Sequence, residues 1–383
     1  MDCTHDRTVF LNNIVLIIIY GLINSLFFYK YSGLPYLPAL LYLCLVTGFA
    51  VLILRLKGAK AASFLRFNRW IYFAVVFMMA VLLTLLMMHY DPKPIHGGRY
   101  PAIYDWITRL IHGDFPYGSS SAPSGLPFLF ILAMPFYFLG NLGLIQIISF
   151  LIFCVLIYFR YKNNTLSRFR VLLLLVSAPA FLYEVVVRSE LFSNMAAAMS
   201  YLAVFEAYNR KAGLLMFILL GIAGGLVLST RVIVFVIYLP FFIFFFIRQK
   251  QFLRYSLFAL SMGISFILTL VPFIFWDFHK FMDYGPFSIQ MSYLPAWVSV
   301  LFLVLLVYLA WRVKPLRSLY TWIAVMLFVI VVTSFIIAIV KHGWYSCVFQ
   351  DRFDISYFCF TLPFLLISLR FLDEHNNGQG VFV

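Results

Sequence analysis

Long apolar runs recur from one end of the chain to the other, and they constrain the fold more than any other feature. A helix of about 17–25 apolar residues crosses the ~30 Å hydrocarbon core of a bilayer. Within that core only helices and closed barrels satisfy their own backbone polar groups. The sequence therefore predicts an all-α, polytopic transmembrane bundle of about 12–13 membrane segments. The candidate segments are 11–29, 37–54, 70–88, 126–139, 143–159, 171–187, 191–208, 212–229, 232–247, 255–275, 296–311, 319–340 and 355–370.

Composition excludes the other broad classes of protein. Of the 383 residues, 64% are hydrophobic and 11% are charged, whereas soluble domains carry about 25% charged residues. Disordered chains need low hydrophobicity and high charge, so they are excluded by the same two values. The five cysteines, at positions 3, 44, 154, 347 and 359, are too few and too widely spaced for a disulfide scaffold.

The net charge of +14 is best explained by membrane topology, and we expect no nucleic-acid partner. The basic residues cluster in short loops at 55–69, 160–170, 210–211, 248–254 and 312–317. Because basic loops stay on the cytoplasmic side, both termini are predicted to be cytoplasmic. No cleavable signal peptide is evident, so the first helix is expected to be retained.

One segment leaves the topology open. The loops 55–69 and 160–170 both look cytoplasmic, yet two apolar segments follow the long external loop between them. Either segment 126–139, which holds Pro127 and Pro135, re-enters the membrane, or the basic-loop rule fails at 160–170. We favour the re-entrant interpretation.

The long loop 89–125 is predicted to be external and to carry the active site, within a single transmembrane domain spanning 1–383. Apolar residues at helical spacing predict an amphipathic helix over 101–112, ending at Gly113. A helix of this pattern beside a membrane lies in the interface plane. It would form a lid or floor at the external mouth of the bundle.

Three segments resemble the GT-C fold glycosyltransferases, which are polytopic membrane enzymes that use lipid-phosphate-linked sugars. The first runs from Tyr104 to Tyr117 and includes Gly-Asp-Phe-Pro-Tyr at 113–117. The second is 349–364, in which Arg352, Phe353 and Pro363 match an "Arg-aromatic … Leu-Pro" element. The third is 171–250, where a glycine-rich helix runs on to Arg231.

The resemblance implies a glycosyltransferase that moves a sugar from a polyprenyl-phosphate donor to a glycolipid or glycan acceptor. It implies a multi-pass protein of the bacterial inner membrane with its active site on the external face. One departure concerns the base. Many family members have an acid directly before the aromatic residue of the loop, but here Arg99 precedes Tyr100. The base is therefore expected at Asp91 or Asp105.

Sugar transfer needs a carboxylate that accepts the acceptor's proton and cations that stabilise the phosphate leaving group. Asp91 and Asp105 are the candidate catalytic acids. The candidate donor-phosphate residues are Arg231, Arg352 and Arg188, and the candidate acceptor contacts are Arg99, Tyr117 and His279.

Each of these residues also has a purely structural interpretation. Asp91 could pair with Lys93, and Asp105 with Arg109. Arg231 could extend to the lipid headgroups. Arg352 could pair with its neighbours Asp351 and Asp354, and Arg188 with Glu184 and Glu190.

No cofactor is predicted. His89, His96 and His112 could bind a divalent metal together with Asp91, but no recognised ligand spacing occurs. Two other functions remain open: a transporter or flippase for a lipid-linked oligosaccharide, and an O-antigen-type polymerase. The ionisable residues gather at the external ends of the predicted spans, whereas a transporter is expected to carry them at mid-membrane. Membrane lipids are expected partners in every case.

Overall fold

The computed structural model describes residues 3–33, 36–55, 69–92, 99–162, 164–209, 211–290, 294–371 and 381–382. Within these ranges every regular element is a helix, which confirms the all-α prediction. The α-helices are α1 (Cys3–Ser32), α2 (Tyr36–Arg55), α3 (Arg69–His89), α4 (Arg99–His112), α5 (Pro127–Phe138), α6 (Leu144–Arg160), α7 (Thr165–Val176), α8 (Pro179–Val186), α9 (Leu191–Tyr208), α10 (Leu214–Leu228), α11 (Val234–Gln249), α12 (Phe252–Trp276), α13 (Phe278–Tyr284), α14 (Pro286–Gln290), α15 (Ala296–Arg312), α16 (Leu316–His342), α17 (Trp344–Phe349) and α18 (Leu362–Ser368). Short 3₁₀ helices lie at Pro116–Gly118 and Ile355–Thr361.

Among the described residues, four helices are long and apolar enough to cross a membrane: Leu11–Ser32, Trp70–His89, Phe252–Trp276 and Leu316–His342. Only 28% of the most apolar window of Trp70–His89 is buried, and only 22% of that of Phe252–Trp276. Large apolar surfaces of this kind are unfavourable in water and mark contact with lipid or another apolar partner. The larger predicted count of about 12–13 segments depends on the shorter helices and stays a prediction.

The predicted span 171–187 is divided into two helices. Helices α7 and α8 meet at an angle of 61°, and Ser177 and Ala178 lie between them. Pro179, the first residue of α8, cannot donate a backbone hydrogen bond and its ring crowds the preceding turn. This explains why a continuous apolar run in the sequence becomes two helices at an angle. The two helices count as a fifth candidate span only if they cross the membrane together.

The chain forms two compact units. Unit 1 comprises Met1–Leu83, Leu151–Glu184 and Pro315–Val383, and unit 2 comprises Thr84–Phe150 and Val185–Lys314. Neither unit is continuous in sequence, because the chain passes from one to the other within α3, α6 and α8 and again before α16. The predicted single transmembrane domain stays a prediction.

Side chains that bond to distant backbone groups join the segments of unit 1. The Tyr20 hydroxyl donates to the Leu174 carbonyl at 2.6 Å. The Asn13 amide donates to the Arg370 carbonyl at 2.6 Å and accepts from the Arg370 backbone N–H at 3.1 Å. Buried hydrogen bonds of this kind satisfy backbone groups that helix ends leave open. They connect the first helix of the unit to α7 and to the end of α18.

In unit 2, small residues bring α10 and α12 close together. A Cβ atom placed on Gly221 would lie 2.6 Å from the Phe258 carbonyl oxygen. One placed on Gly225, a turn later, would overlap the side chain of Ser265. Glycines four residues apart, facing a serine, allow two helix backbones to approach closely, as in many membrane helix pairs. The segment that follows α10 carries Arg231, so this packing fixes where that arginine lies.

The predicted loop helix is confirmed as α4, which extends two residues further towards the N-terminus than predicted. Gly113, just after it, has the left-handed φ of +78° that favours glycine. The apolar side of α4 is buried within unit 2: Trp106 stacks on Phe130 with ring centroids 4.3 Å apart and also contacts Phe273. The helix is therefore anchored to α5 and α12 by its apolar face. Its predicted position at the membrane interface stays a prediction.

Candidate functional site

Glu190 lies in the turn between α8 and α9, directly before the first residue of α9. Its side chain is only 3% exposed. A buried carboxylate is costly unless it is paired or accepts several hydrogen bonds. The residues around it therefore decide whether this position is a stable part of the structure.

Two arginines share one oxygen of this carboxylate. Arg99 Nη1 lies 3.3 Å from Glu190 Oε1, and Arg231 Nη2 contacts the same oxygen. Their side chains are 6% and 2% exposed. We call Arg99, Glu190 and Arg231 the arginine–glutamate centre. In it two buried guanidinium groups meet at one buried carboxylate of unit 2.

The centre is assembled from three separate parts of the chain. Arg99 is the first residue of α4, Glu190 precedes α9, and Arg231 lies between α10 and α11. None of the three belongs to one of the four candidate membrane spans. Each charge is thus carried at a helix boundary, where the surrounding helices fix its position.

The pKa of Glu190 is set by two opposing effects. Burial disfavours the charged form and raises the pKa, but the guanidinium groups of Arg231 and Arg99 outweigh burial and bring the pKa below its ordinary value. Glu190 therefore remains a carboxylate at neutral pH. A carboxylate held by two cations is a poor proton acceptor, which makes Glu190 a positioning group and not a candidate base.

Polar contacts hold the backbone around Arg231. Arg231 Nη2 also donates to the Ser124 hydroxyl at 3.3 Å. Gln290 accepts from the Val232 backbone N–H at 3.1 Å and donates to the Ser124 carbonyl. The Leu126 N–H donates to the Thr230 carbonyl at 3.1 Å. The end of the long loop and the turn carrying Arg231 are therefore joined by both backbone and side chains.

Three buried polar atoms at the start of α9 have no hydrogen-bond partner among the described residues. They are Glu190 Oε2, Ser193 Oγ and Asn194 Nδ2. Ser193 and Asn194 are 5% and 2% exposed. Buried polar atoms nearly always have partners in folded proteins. Three of them within one helical turn, beside a cationic pair, mark a place where a polar ligand or water can bind.

Arg188 adds a further positive charge to this part of unit 2. Its guanidinium lies 5.4 Å from the ring centroid of Tyr100, the neighbour of Arg99, and donates to the Met87 carbonyl at 3.3 Å. Its backbone φ of +55° is unusual for a residue with a side chain. The carboxylate oxygen of Glu190 that it could have bound is shared by Arg99 and Arg231 instead.

The two candidate bases differ in exposure. Asp91 is exposed and follows the end of α3, while Asp105 is half-buried on α4. The alternative pairing of Asp105 with Arg109 does not form, since Arg109 Nε donates to the Phe115 carbonyl at 3.1 Å. Lys93, the alternative partner of Asp91, lies outside the described residues. A catalytic role for either acid stays a prediction.

The remaining predicted residues lie elsewhere. Tyr117 is fully buried; its hydroxyl donates to the Gly125 carbonyl at 3.1 Å and its ring contacts Trp106. His279 is exposed on α13. Arg352 is exposed and belongs to unit 1. Of the eight predicted site residues, the structure brings together Arg99 and Arg231, with Arg188 beside them through Tyr100.

Sequence reasoning missed Glu190, Ser124 and Gln290 as members of the site. Glu190 was considered only as a partner of Arg188. A signal was present, because Glu190 is one of only 14 acidic residues in the chain and stands between two predicted spans. Nothing local to Ser124 or Gln290 distinguishes them from other loop residues.

Within the described ranges no group of three or more histidine, cysteine, aspartate or glutamate residues could hold a metal ion. His96, one of the possible ligands, lies outside those ranges.

We find no protein-family model, no characterised protein and no solved structure that matches this chain.

Proposed function

We propose that this chain is an integral membrane glycosyltransferase of the GT-C type. It takes a sugar from a polyprenyl-phosphate donor and transfers it to a glycolipid or glycan acceptor at the external face. The observation that carries the proposal is the arginine–glutamate centre, in which two guanidinium groups are buried beside one carboxylate in a chain with candidate membrane-spanning helices.

The chemistry of the leaving group connects the centre to this reaction. When a sugar leaves a lipid phosphate, negative charge grows on the phosphate oxygens. Guanidinium groups held in a water-poor site stabilise such charge far better than they do in water. Arg99 and Arg231 are held in place by Glu190 before any substrate arrives. A phosphate placed beside them would accept charge-assisted hydrogen bonds from their guanidinium groups.

Arg99 thereby takes a different role from the acceptor contact that the sequence suggested. In the proposal it binds donor phosphate together with Arg231, and Arg188 contributes a second layer of positive charge. Ser193 and Asn194 supply polar groups at the start of α9, where the helix dipole also favours an anion.

The base in the proposal is an acid outside the centre. Asp91 is exposed and is carried directly after a long helix, so it can exchange protons with solvent and still be held in position. Asp105 shares α4 with Arg99 and is the second candidate. Tyr117 contacts Trp106 on the apolar face of this helix, which makes their contribution one of position.

The proposal includes a topology. Both termini are cytoplasmic, loop 89–125 is external, and about 12–13 segments lie in a bacterial inner membrane. Single cysteines introduced at positions 60, 250 and 314 test the sidedness in a cysteine-free background. Labelling by a membrane-impermeant maleimide only after the membrane is opened supports the topology. Labelling in sealed cells contradicts it.

The activity test uses purified protein in detergent with a short-chain polyprenyl-phosphate sugar, labelled in the sugar, and a lipid-extract acceptor. Asp91→Asn is expected to reduce turnover by about 10²–10⁴-fold with donor binding retained, and Asp105→Asn to reduce it less. Arg231→Ala should raise the donor KM and lower kcat, and Arg231→Lys should recover only part of the loss, since lysine lacks the planar fork.

The control for Asp91→Asn is Asp277→Asn, which removes the charge of a half-buried acid that pairs with Lys280, three residues later on α13, at 2.9 Å. It should leave transfer unchanged. Normal transfer by both Asp91→Asn and Asp105→Asn would remove both acids from the reaction.

A transporter or flippase of lipid-linked oligosaccharide is the second candidate, favoured by the burial of the same three charges. Buried ionisable groups in membrane proteins often line substrate pathways. In sealed vesicles a flippase moves a fluorescent lipid-linked sugar between leaflets without breaking the sugar–phosphate bond, and Asp91→Asn leaves that movement intact. An O-antigen-type polymerase would instead lengthen the acceptor by whole repeat units.

A further inference from the structure

Unit 1 contains an apolar groove that the proposed function does not use. It lies between α1, α2 and α16 and has a volume of about 460 Å³. Its walls include Leu22, Leu26, Leu43, Phe328 and Val332.

Two of the helices that line the groove are candidate membrane spans. Leu22 and Tyr29 lie within the candidate span Leu11–Ser32, and Phe328 and Phe335 lie within Leu316–His342. Each pair is seven residues apart, which is about 10 Å along a helix. A recess lined almost entirely by apolar side chains holds ordered water poorly, because water needs polar partners. Hydrocarbon chains are the apolar material that a bilayer supplies to fill it.

One end of the groove is aromatic and is surrounded by positive charge. Tyr29, Tyr36 and Trp344 line that end, and tyrosine and tryptophan favour the level of the lipid headgroups. Lys30 follows Tyr29, and Lys341 lies three residues before Trp344. Asp351 is brought to this end by its ion pair with Lys30, and Arg352 by the bond from its backbone N–H to the Ser346 carbonyl.

The charges at this end do not cancel. Lys30 Nζ lies 2.5 Å from Asp351 Oδ1, so these two charges neutralise each other. Lys341 and Arg352 are exposed, and no carboxylate within the described residues forms an ion pair with either. Asp354, two residues after Arg352, accepts from the backbone N–H and the hydroxyl of Ser356. Two cations without an ion-pair partner among the described residues, beside an aromatic rim, complement an anionic headgroup.

The lining of the groove also includes a serine. The Ser25 hydroxyl is buried and has no hydrogen-bond partner among the described residues. Ser25 is four residues from Tyr29, or about 6 Å along the helix. In a glycerophospholipid the ester carbonyls lie a comparable step below the phosphate, so an ester oxygen can accept this hydroxyl.

We propose that the groove binds one anionic glycerophospholipid of the surrounding bilayer. One acyl chain lies between α1, α2 and α16, the phosphate lies near Lys341 and Arg352, and an ester oxygen accepts from Ser25. This lipid site is independent of the proposed glycosyl transfer, since it is built entirely from unit 1.

Trp344 provides the measurement. The protein in detergent is titrated with phosphatidylglycerol whose acyl chains carry bromine, which quenches tryptophan on contact, and with phosphatidylcholine brominated in the same way. The signal is the difference between the native protein and Trp344→Phe. We expect saturable quenching at low lipid fractions, with at least about fivefold tighter binding of phosphatidylglycerol, as expected for roughly 1 kcal/mol per basic residue near the phosphate.

Variants separate the parts of the proposal. Ala39→Phe, which fills the groove, should abolish saturable quenching. Leu41→Phe, which introduces the same aromatic side chain at an exposed position of α2, should leave saturable quenching intact. The double variant Lys341→Gln/Arg352→Gln should bind both lipids equally. Melting curves establish that each variant is folded. If Ala39→Phe does not fold, Ser25→Ala, a mild change, tests the groove in its place.

Four results would overturn the proposal. They are quenching that rises linearly for both lipids, equal binding of both headgroups by the native protein, saturable quenching that survives Ala39→Phe, and protection of Trp344 by a second protein copy. Displacement of brominated phosphatidylglycerol by a short polyprenyl phosphate at much lower concentration would reassign the groove to that lipid.

Discussion

Two charged clusters, one in each unit, use the same chemistry under opposite conditions. In unit 2 the Glu190 carboxylate is 3% exposed and lies between Arg99 and Arg231, which are nearly as buried. In unit 1 Lys30, whose side chain is 9% exposed, pairs with Asp351, whose side chain is 52% exposed. Solvent reaches the second pair through its carboxylate and screens it, and leaves the first pair unscreened. The difference teaches that burial, more than the number of ion pairs, determines how much a charge contributes to stability.

Burial also makes the two clusters suited to different tasks. The charges of the arginine–glutamate centre were removed from water when the chain folded, and that cost is only recovered through good geometry among them. A site prepared in this way can stabilise an incoming anion without rearranging. The Lys30–Asp351 pair keeps its access to solvent, so its partners can change when a headgroup or an ion approaches.

The largest effect is expected from Glu190→Gln. Removal of the carboxylate takes away the partner that two buried guanidinium groups share and leaves their positive charges close together. Breaking a buried ion pair in this way costs about 3–5 kcal/mol. The loss of unfolding free energy is measured by titrating the purified protein, in mixed micelles, with dodecyl sulfate.

A compensating variant tests the cause. In Glu190→Gln/Arg231→Gln one positive charge is removed together with the negative charge, and much of the lost stability should return. If Glu190→Gln alone costs less than about 1 kcal/mol, the centre behaves like a surface pair, and the contrast between the two clusters is lost.

The second prediction disturbs the same centre without touching its charges. Gly225→Leu places a side chain where α12 approaches α10, at the side chain of Ser265. Overpacking of this kind typically costs about 1–3 kcal/mol, and it should also displace the segment that carries Arg231. The measurements are unfolding in mixed micelles and donor KM.

Gly263 offers a matched control for this change. It lies on α12, and a Cβ atom there would meet nothing within 4 Å. Gly263→Leu should therefore leave stability unchanged or raise it slightly, since leucine favours helix more than glycine does. Equal losses from both substitutions would show that the close approach of α10 and α12 is not what makes Gly225 sensitive.

Much of the helical framework could be predicted from the sequence. The apolar runs mark α1, α3, α12 and α16, because lipid-facing and buried helix surfaces both require apolar residues. Helix α4 was predicted from the spacing of Ile103, Trp106 and Ile107, and its end from Gly113. These are local signals, in which each residue acts through its neighbours within a few turns.

The rest depends on contacts between distant residues. Glu190 contacts Arg99 and Arg231, which are 91 and 41 positions away in sequence. No local pattern in the sequence predicts contacts over such distances. The burial of Tyr117 follows from the arrival of Phe273 and Phe281 against it. An apolar run also does not reveal a bend such as that at Pro179, because proline is tolerated within membrane helices.

The third prediction concerns the exposed pair. Asp351→Asn removes the ion pair with Lys30 but keeps a side chain of the same shape. The effect on stability should be below about 1 kcal/mol. The backbone φ of Asp351 is +56°, a conformation that asparagine adopts at least as readily as aspartate, so no strain is added. The unfolding free energy measured at low and at high salt gives the size of the effect. A loss of stability comparable to that of Glu190→Gln would contradict the contrast drawn between the two clusters.

The smallest effect is expected from acid. The pKa of Glu190 is lowered in the folded protein relative to its ordinary value of 4.5, because the two arginines outweigh the effect of burial. The stability contributed by its ionised form is therefore fully present above pH 4.5 and is lost as the pH falls through the lower, folded pKa. The difference in unfolding free energy between the native protein and Glu190→Gln should stay constant from neutral pH down to that value, then shrink. The other carboxylates titrate in both proteins, so most of their contribution to the pH dependence cancels when the two unfolding free energies are subtracted. A difference that already shrinks well above pH 4.5 would mean that burial, and not the arginines, dominates the carboxylate, and that the centre is held less tightly than its geometry indicates.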